Sequence, residues 1–86
     1  MRWEEVKERF PHQWLLIEVT EARSEGGERI VDAVSVVDTF PTSTDAWRAY
    51  AIARRQAPDR EFIPLHTDYG ELRFEERPGI GFRWRA

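Results

Sequence analysis

The first ten residues follow the spacing of one face of an α-helix. Trp3, Val6 and Phe10 recur at intervals of three and four, and the charged residues between them would face solvent. Pro11 comes directly after this pattern and cannot continue a helix. We therefore predict a short N-terminal helix over residues 2–10.

The hydrophobic period changes to two over residues 14–22, which is typical of a β-strand. Leu15, Ile17 and Val19 would share one face of that strand. A polar cluster with two adjacent glycines, residues 24–28, follows it and is typical of a tight turn. The pattern predicts the first strand and the turn of a β-hairpin.

The second strand of this hairpin, residues 29–40, divides into two sets of side chains. We predict that one face carries Ile30, Asp32, Val34, Val36, Asp38 and Phe40. The other face would carry Val31, Ala33, Ser35, Val37 and Thr39. Because several residues of the second set are small, we expect a helix to approach that face closely.

A second helix is predicted over residues 44–56, since Thr42 or Ser43 can cap it and Pro58 stops it. Thr42 and Asp45 have the spacing of a capping box. Its apolar stripe consists of Ala46, Ala49, Tyr50, Ala53 and Ala57. We expect this alanine-rich stripe to cover the sheet.

The last third of the chain reads as two further strands and a tail. In the third strand, residues 61–67, Pro64 cannot donate a ladder hydrogen bond and should lie at an edge or a bulge. Leu72 and Phe74 would share a face of the fourth. The tail alternates aromatic and basic residues and is either a last strand or a docking arm.

The expected fold is a single α+β domain spanning residues 1–86, with strand and helix order β-β-α-β-β, one covering helix and a short N-terminal helix.

Composition narrows the possible functions of this 86-residue chain. The formal charge of −3 gives no overall field for polyanions or anionic membranes. Cysteine is absent, and no apolar run approaches the length of a membrane span, so we expect a cytoplasmic protein that contacts no membrane. No phosphate-binding loop or nucleophile elbow is present, and we expect no cofactor.

Two histidines and an aspartate are the best candidates for chemistry. His66 and Asp68 stand two residues apart, and His12 could join them in a metal or acid–base site, as in a metal-dependent hydrolase. A turn aspartate and surface histidines explain the same residues without catalysis. We favour this second interpretation and predict a protein that is not an enzyme and binds no metal.

Four tryptophans are many for so small a core, and at least one should lie at a surface contact. Since Trp and Arg are enriched at interfaces, we predict a non-enzymatic protein-interaction module or a homo-oligomer, with a homodimer as the expected form. The residues predicted to bind the partner are Trp3, Trp14, Phe82, Arg83, Trp84 and Arg85.

Nucleic-acid binding is the alternative function for the C-terminal tail. Phe82 and Trp84 could stack on bases while Arg83 and Arg85 pair with phosphates. Because phosphate contacts dominate such affinity and the chain is acidic overall, we disfavour this interpretation. In the opposing interpretation, the tail is a closing strand whose aromatic residues enter the core.

Several motifs together resemble a group of short uncharacterised bacterial proteins. The resemblance rests on Trp3, Val6 and Phe10-Pro11, on residues 13–18, on residues 36–41 and on Arg60-Glu61-Phe62. Members of that group are often encoded beside a small retropepsin-like aspartic protease. The resemblance implies that this chain is the smaller, accessory or antitoxin-like member of a two-gene pair. It is not the protease, because Phe40 follows Asp38-Thr39 where that chemistry needs glycine.

Overall fold

The computed structural model describes residues 1–77 and 81–83 and confirms the α+β class. The elements in chain order are α1 (Trp3–Arg9), β1 (Trp14–Glu25), β2 (Glu28–Phe40), α2 (Ser43–Gln56), β3 (Phe62–His66), β4 (Arg73–Arg77) and β5 (Gly81–Arg83). The described strands form one antiparallel sheet in the order β3-β1-β2-β4-β5. The predicted tail contributes β5, and Trp84 and Arg85 lie outside the described residues.

The long β1–β2 hairpin is the centre of the sheet. Its turn is made by Gly26 and Gly27, with φ of 58° and 79°. A two-residue hairpin loop with both residues at positive φ favours glycine and matches the twist of the flanking strands. The predicted turn is therefore confirmed, while β1 runs three residues further than the expected end at residue 22.

Three register shifts interrupt the pairing of β1 with β2, between Leu16 and Ile17 and on both sides of Glu21. Each extra residue reverses which face the following side chains occupy. As a result, Val31 joins Val34 and Val36 in or against the core, while Ile30 lies outside that cluster. The predicted division of β2 into two faces was wrong, because strict alternation does not survive a bulge.

The main hydrophobic core lies between α1 and one face of the sheet. Its buried members are Trp3, Val6, Leu15, Ile17, Val31, Val34, Ile63, Leu65, Leu72 and Phe74. The strands β1, β2 and β3 each contribute two of these residues, β4 contributes Phe74, the loop before β4 contributes Leu72, and α1 contributes Trp3 and Val6. A helix of only seven residues thus closes the core.

The start of the chain is fastened to β2 by backbone bonds. The amino group of Met1 donates to the carbonyl of Val34 at 2.7 Å, and the Val34 N–H donates back to the Met1 carbonyl at 2.7 Å. Arg2 then donates its N–H to the Glu5 carboxylate at 3.2 Å, which satisfies one end of α1. These bonds fix the position at which α1 enters the core.

Helix α2 packs against β3, β1 and β2. Leu16 is buried but lies outside the main core cluster, as alternation with Leu15 and Ile17 requires. Ala46 is the buried residue of α2 and is also outside that cluster. Because α1 and the core occupy the opposite face, α2 covers the Leu16 face of the sheet.

Candidate functional site

Helix α2 begins and ends as its sequence predicts. The hydroxyl of Thr42 accepts the Asp45 N–H at 3.2 Å, so Thr42 is the N-cap. Asp45 in the first turn and Arg54 and Arg55 in the last complement the helix dipole. Pro58 follows the C-cap. The helix is therefore well defined at both ends and presents its side chains in fixed directions.

The side chains on the two sides of α2 differ in size and chemistry. The side toward the sheet is the predicted stripe, in which Ala46 is buried and Ala49, Tyr50, Ala53 and Ala57 are half-buried. On the outer side Trp47 is 48% exposed and Ile52 is 55% exposed. Trp47 packs edge-on against Tyr50, with ring centroids 5.5 Å apart. We call Trp47, Arg48, Ile52, Arg54 and Arg55 the outer face of α2.

The arginines of the outer face differ from those of the sheet in their partners. Residues 46–56 contain three arginines and no acidic residue. Within the described residues, Arg48, Arg54 and Arg55 make no ion pair, and Arg54 donates a hydrogen bond to the Tyr50 hydroxyl at 3.5 Å. The outer face is thus a cationic surface with two large apolar side chains, on a chain of net charge −3.

Arginines around the sheet are matched by carboxylates instead. Arg29 donates two hydrogen bonds to Glu61, at 3.1 and 2.5 Å, and both side chains are about three-quarters buried. Arg60 binds Glu18 through two nitrogens, which raises the pKa of the Arg60 guanidinium through hydrogen bonding and charge. Arg73 pairs with Glu28 and, more loosely, Glu71; Arg23 pairs with Glu25 and Asp32. These pairs hold neighbouring strands and loops together.

Trp3, a predicted partner-binding residue, lies in the core. It is 7% exposed, and its indole N–H donates to the carbonyls of Gly70 at 2.7 Å and Tyr69 at 3.2 Å. Lys7 lies over its ring at 5.9 Å. Trp3 therefore joins α1 to the loop before β4 and has little surface left for a partner.

The other predicted contact residues do not form one surface in the described structure. Trp14 is half-buried at the start of β1 and packs edge-on against His66, with ring centroids 5.2 Å apart. Phe82 and Arg83 belong to β5, at the far edge of the sheet from β3. Trp84 and Arg85 lie outside the described residues, so the role predicted for the tail stays a prediction.

The structure does bring the three candidate chemical residues together. His12 Nδ1 lies 3.1 Å from an Asp68 carboxylate oxygen, and His66 Nδ1 accepts the Asp68 N–H at 3.0 Å. His12 has a positive φ of 52°, which turns the chain from α1 into β1. No group of three or more His, Asp or Glu residues in the described part of the chain has the arrangement of a metal site. The cluster joins the α1–β1 loop to the β3–β4 turn, alongside the bond of 2.9 Å from the Gln13 N–H to the Thr67 hydroxyl.

Two grooves open on the surface, and both are shallow and polar. The larger, about 420 Å³, lies between α1, β2 and the loop before β4 and is lined by Arg2, Glu4, Lys7, Asp32, Glu71 and Arg73 among others. The smaller, about 340 Å³, lies where α2 meets β3 and includes Tyr50, Arg54 and Arg60. Arg60 and Arg73 are already bound to carboxylates of this chain, so these two guanidinium groups are not free to bind a ligand in the grooves.

Two stretches of strand edge, β3 and the part of β2 beyond its pairing with β4, carry features that protect against strand addition. Pro64 lies in β3, at one edge of the described sheet, as its missing N–H requires. On β2, Met1 occupies the backbone groups of Val34, and the Asp38 carboxylate accepts the Thr39 N–H at 2.8 Å. Such caps and prolines are the means by which native sheets avoid pairing edge to edge. The outer face of α2 is therefore a better candidate than any strand edge.

Trp47 and Ile52 were missed as candidate functional residues by sequence reasoning. The signal was present, since both fall outside the alanine stripe that predicts the buried side of α2. Both are large apolar side chains at solvent positions of an amphipathic helix, which makes them candidates for a contact surface.

Comparison with known proteins identifies no relative. No protein-family model, no curated protein and no solved structure matches the chain. The resemblance to the short bacterial proteins thus stays a prediction. Among the described residues, no helix has the length and apolar character needed to cross a membrane.

Proposed function

We propose that this chain is a non-enzymatic protein-interaction module that binds its partner through the outer face of α2. The observation that supports this function is the exposure of Trp47 and Ile52, 48% and 55%, on a well-capped helix. Trp and Arg are among the residues most enriched at binding hot spots, and Arg48 and Arg55 lie between these two residues around the helix. An accessory or antitoxin-like role in a two-gene pair fits such a module.

Burial of the two apolar side chains gives the free energy for binding. Fully covering a large apolar side chain is worth roughly 1.5–3 kcal/mol. Because α2 is held in place by the sheet and by its caps, little conformational entropy is lost when a partner covers its outer face. Because about half of each side chain is already covered in the free protein, the two residues together supply roughly 1.5–3 kcal/mol toward binding, which is a fraction of the free energy of a micromolar complex.

Self-association is the alternative within the same proposal. A two-fold pairing of α2 with α2 would bring Arg48, Arg54 and Arg55 of one copy against the same residues of the other. The like charges oppose this arrangement. We therefore place the weight on a different protein and treat the homodimer as an outcome to be tested.

Affinity purification of the tagged full chain from extracts of its native cells tests the proposal. Half of each extract is treated with nuclease, and bound proteins are identified and quantified by mass spectrometry. We expect one stoichiometric protein that survives nuclease and is lost with the double variant Trp47→Ala/Ile52→Ala. The matched control, Trp47→Phe/Ile52→Val, keeps both positions apolar and should retain the partner.

Three results contradict the proposal in different ways. If the alanine double variant still binds the partner, the binding site is not the outer face of α2. Recovery of the chain alone, with a dimer mass by light scattering, favours the homo-oligomer. Recovery of material that disappears with nuclease makes the C-terminal tail, with Arg83 and Arg85, the leading site for nucleic acid.

A further inference from the structure

We infer that the outer face of α2 binds an acidic segment of a protein, with carboxylates against the arginines and a large apolar side chain against Trp47 or Ile52. The inference rests on the proposed function and adds the chemistry of the partner. It begins from the contrast between two groups of arginines in one small domain.

The first step concerns charge. Arg23, Arg29, Arg60 and Arg73 each pair with a carboxylate of this chain. Arg48, Arg54 and Arg55 lie within one helix without an acidic residue between Ala46 and Gln56, and none makes an ion pair within the described residues. Guanidinium groups stay charged at any physiological pH and match carboxylates with two parallel hydrogen bonds. Within the described residues these guanidinium groups form no ion pair, so the outer face can take carboxylates from another molecule.

The second step concerns the arrangement of the apolar residues. Trp47 and Ile52 are five positions apart, which places them roughly 140° apart around the helix axis. Arg48 and Arg55 fall between them around the helix axis and lie about two turns apart along it. A segment lying along α2 would thus meet cationic groups along its middle and an apolar side chain on each flank. Acidic residues next to a large apolar residue are the pattern that this surface fits.

The third step separates a protein segment from nucleic acid. Nucleic-acid affinity comes mostly from phosphate contacts, and roughly six to ten are typical of a duplex-binding protein. The outer face offers three cations on a domain of net charge −3. Ile52, at 55% exposure, also has no counterpart on a phosphate backbone. Charge and exposed apolar area together favour a protein segment.

The test uses a phage-displayed library of random peptides long enough to span α2, selected on the immobilised full chain at moderate salt. We expect enriched peptides rich in Asp and Glu next to Leu, Phe or Trp. A synthetic copy of the most enriched peptide is then titrated against purified variants by isothermal calorimetry. Its affinity should fall as salt rises, because exposed ion pairs are screened.

Arg55→Glu and Arg9→Glu are the matched pair of variants. Both positions are exposed arginines in the last turn of a helix, so the two changes alter net charge and helix-dipole interactions equally. We expect Arg55→Glu to weaken the acidic peptide about ten-fold or more and Arg9→Glu to leave it almost unchanged. Circular dichroism of each variant confirms that α2 is still folded.

Other outcomes overturn the inference. Enriched peptides that are neutral and apolar, lost with Trp47→Ala but not with Arg55→Glu, show a binding surface of different chemistry and leave the proposed function standing. Random single-stranded DNA that binds more tightly than the peptide, with the same sensitivity to Arg55→Glu, assigns the face to nucleic acid. A library that yields no enriched peptide removes the acidic segment as the partner, whatever protein the extract provides.

Discussion

The two helices of this domain use their residues in opposite ways. Helix α1 has seven residues and buries Trp3 and Val6 in the main core. Helix α2 has fourteen residues, yet Ala46 is the one residue that it buries among those described. It leaves Trp47 and Ile52 about half exposed. The shorter helix therefore fills part of the main core, and the longer one covers the other face of the sheet and leaves two large apolar residues exposed.

The length and regularity of a helix therefore do not show how much of the hydrophobic core it fills. The alanine stripe lets α2 lie close to the sheet but buries little apolar area for each residue. By itself, Trp3 buries a large aromatic side chain, and its indole N–H donates a hydrogen bond to the Gly70 carbonyl. The contrast can be tested by equivalent substitutions in the two helices.

The largest effect is expected from Trp3→Ala. Loss of a core tryptophan leaves a cavity and removes the bonds to Gly70 and Tyr69, so the free energy of unfolding should fall by about 3–5 kcal/mol. Trp3→Phe keeps most of the ring and should cost less. Urea denaturation followed by circular dichroism measures both. A loss below about 1 kcal/mol for the alanine variant would show that α1 is not part of the cooperative core.

Much of the fold could be predicted from the sequence because its signals are local. The period of three to four in α1, the glycine pair at 26–27 and the Thr42 cap each depend on a few neighbouring residues. The faces of β2 could not be predicted, since the register shifts near Leu16 and Glu21 arise from pairing between strands. The alternation of apolar and polar residues along a single strand does not reveal these register shifts.

Ala46→Leu tests the closeness of α2 to the sheet. Ala46 is fully buried, and a larger side chain there must push the helix outward or adopt a poor rotamer, which typically costs about 1–3 kcal/mol. Ala51→Leu makes the same change at an exposed position of α2 and serves as the control. Urea midpoints of the two variants should differ clearly. Equal midpoints would mean that α2 is loosely held.

Arg29→Ala tests the difference between the two groups of arginines. Removing Arg29 breaks two hydrogen bonds to a largely buried Glu61, and we expect a loss of about 1–2 kcal/mol in the free energy of unfolding. Arg48→Ala removes an arginine without an ion pair in the described structure and should change stability by less than about 0.5 kcal/mol. If both variants lose the same stability in urea, the contrast between sheet and helix arginines does not hold.

Thr42→Ala tests how far α2 depends on its own cap. The Thr42 hydroxyl accepts the Asp45 N–H, and loss of such a cap costs about 1 kcal/mol. Thr44→Ala, in the first turn but not at the cap, is the control. Thermal unfolding compares the two. A cap variant as stable as the control would indicate that packing on the sheet alone sets the start of α2.

The candidate site was predictable only in part. Sequence reasoning expected at least one tryptophan at a surface contact but did not name the exposed Trp47, because the excess of tryptophan was counted over the whole chain; the contact itself stays a prediction. The spacing of Trp3 with Val6 and Phe10 indicated the apolar face of α1 but not what would cover that face. The burial of Trp3 depends on Gly70 and Tyr69, more than sixty residues away. Contacts at that distance along the chain leave no local signal.

Trp47→Ala is expected to have the smallest effect on stability, and it therefore gives the clearest contrast between α2 and α1. Half of the side chain is already in water, its contact with Tyr50 is at the surface, and alanine is the better helix former. The free energy of unfolding should change by less than about 0.5 kcal/mol, measured by urea denaturation beside Trp3→Ala. The same variant should lose partner binding, so a change at Trp47 should affect binding without affecting the free energy of unfolding. A loss of stability comparable to that of Trp3→Ala would instead make Trp47 a core residue, and the outer face of α2 would no longer explain why a tryptophan stands there.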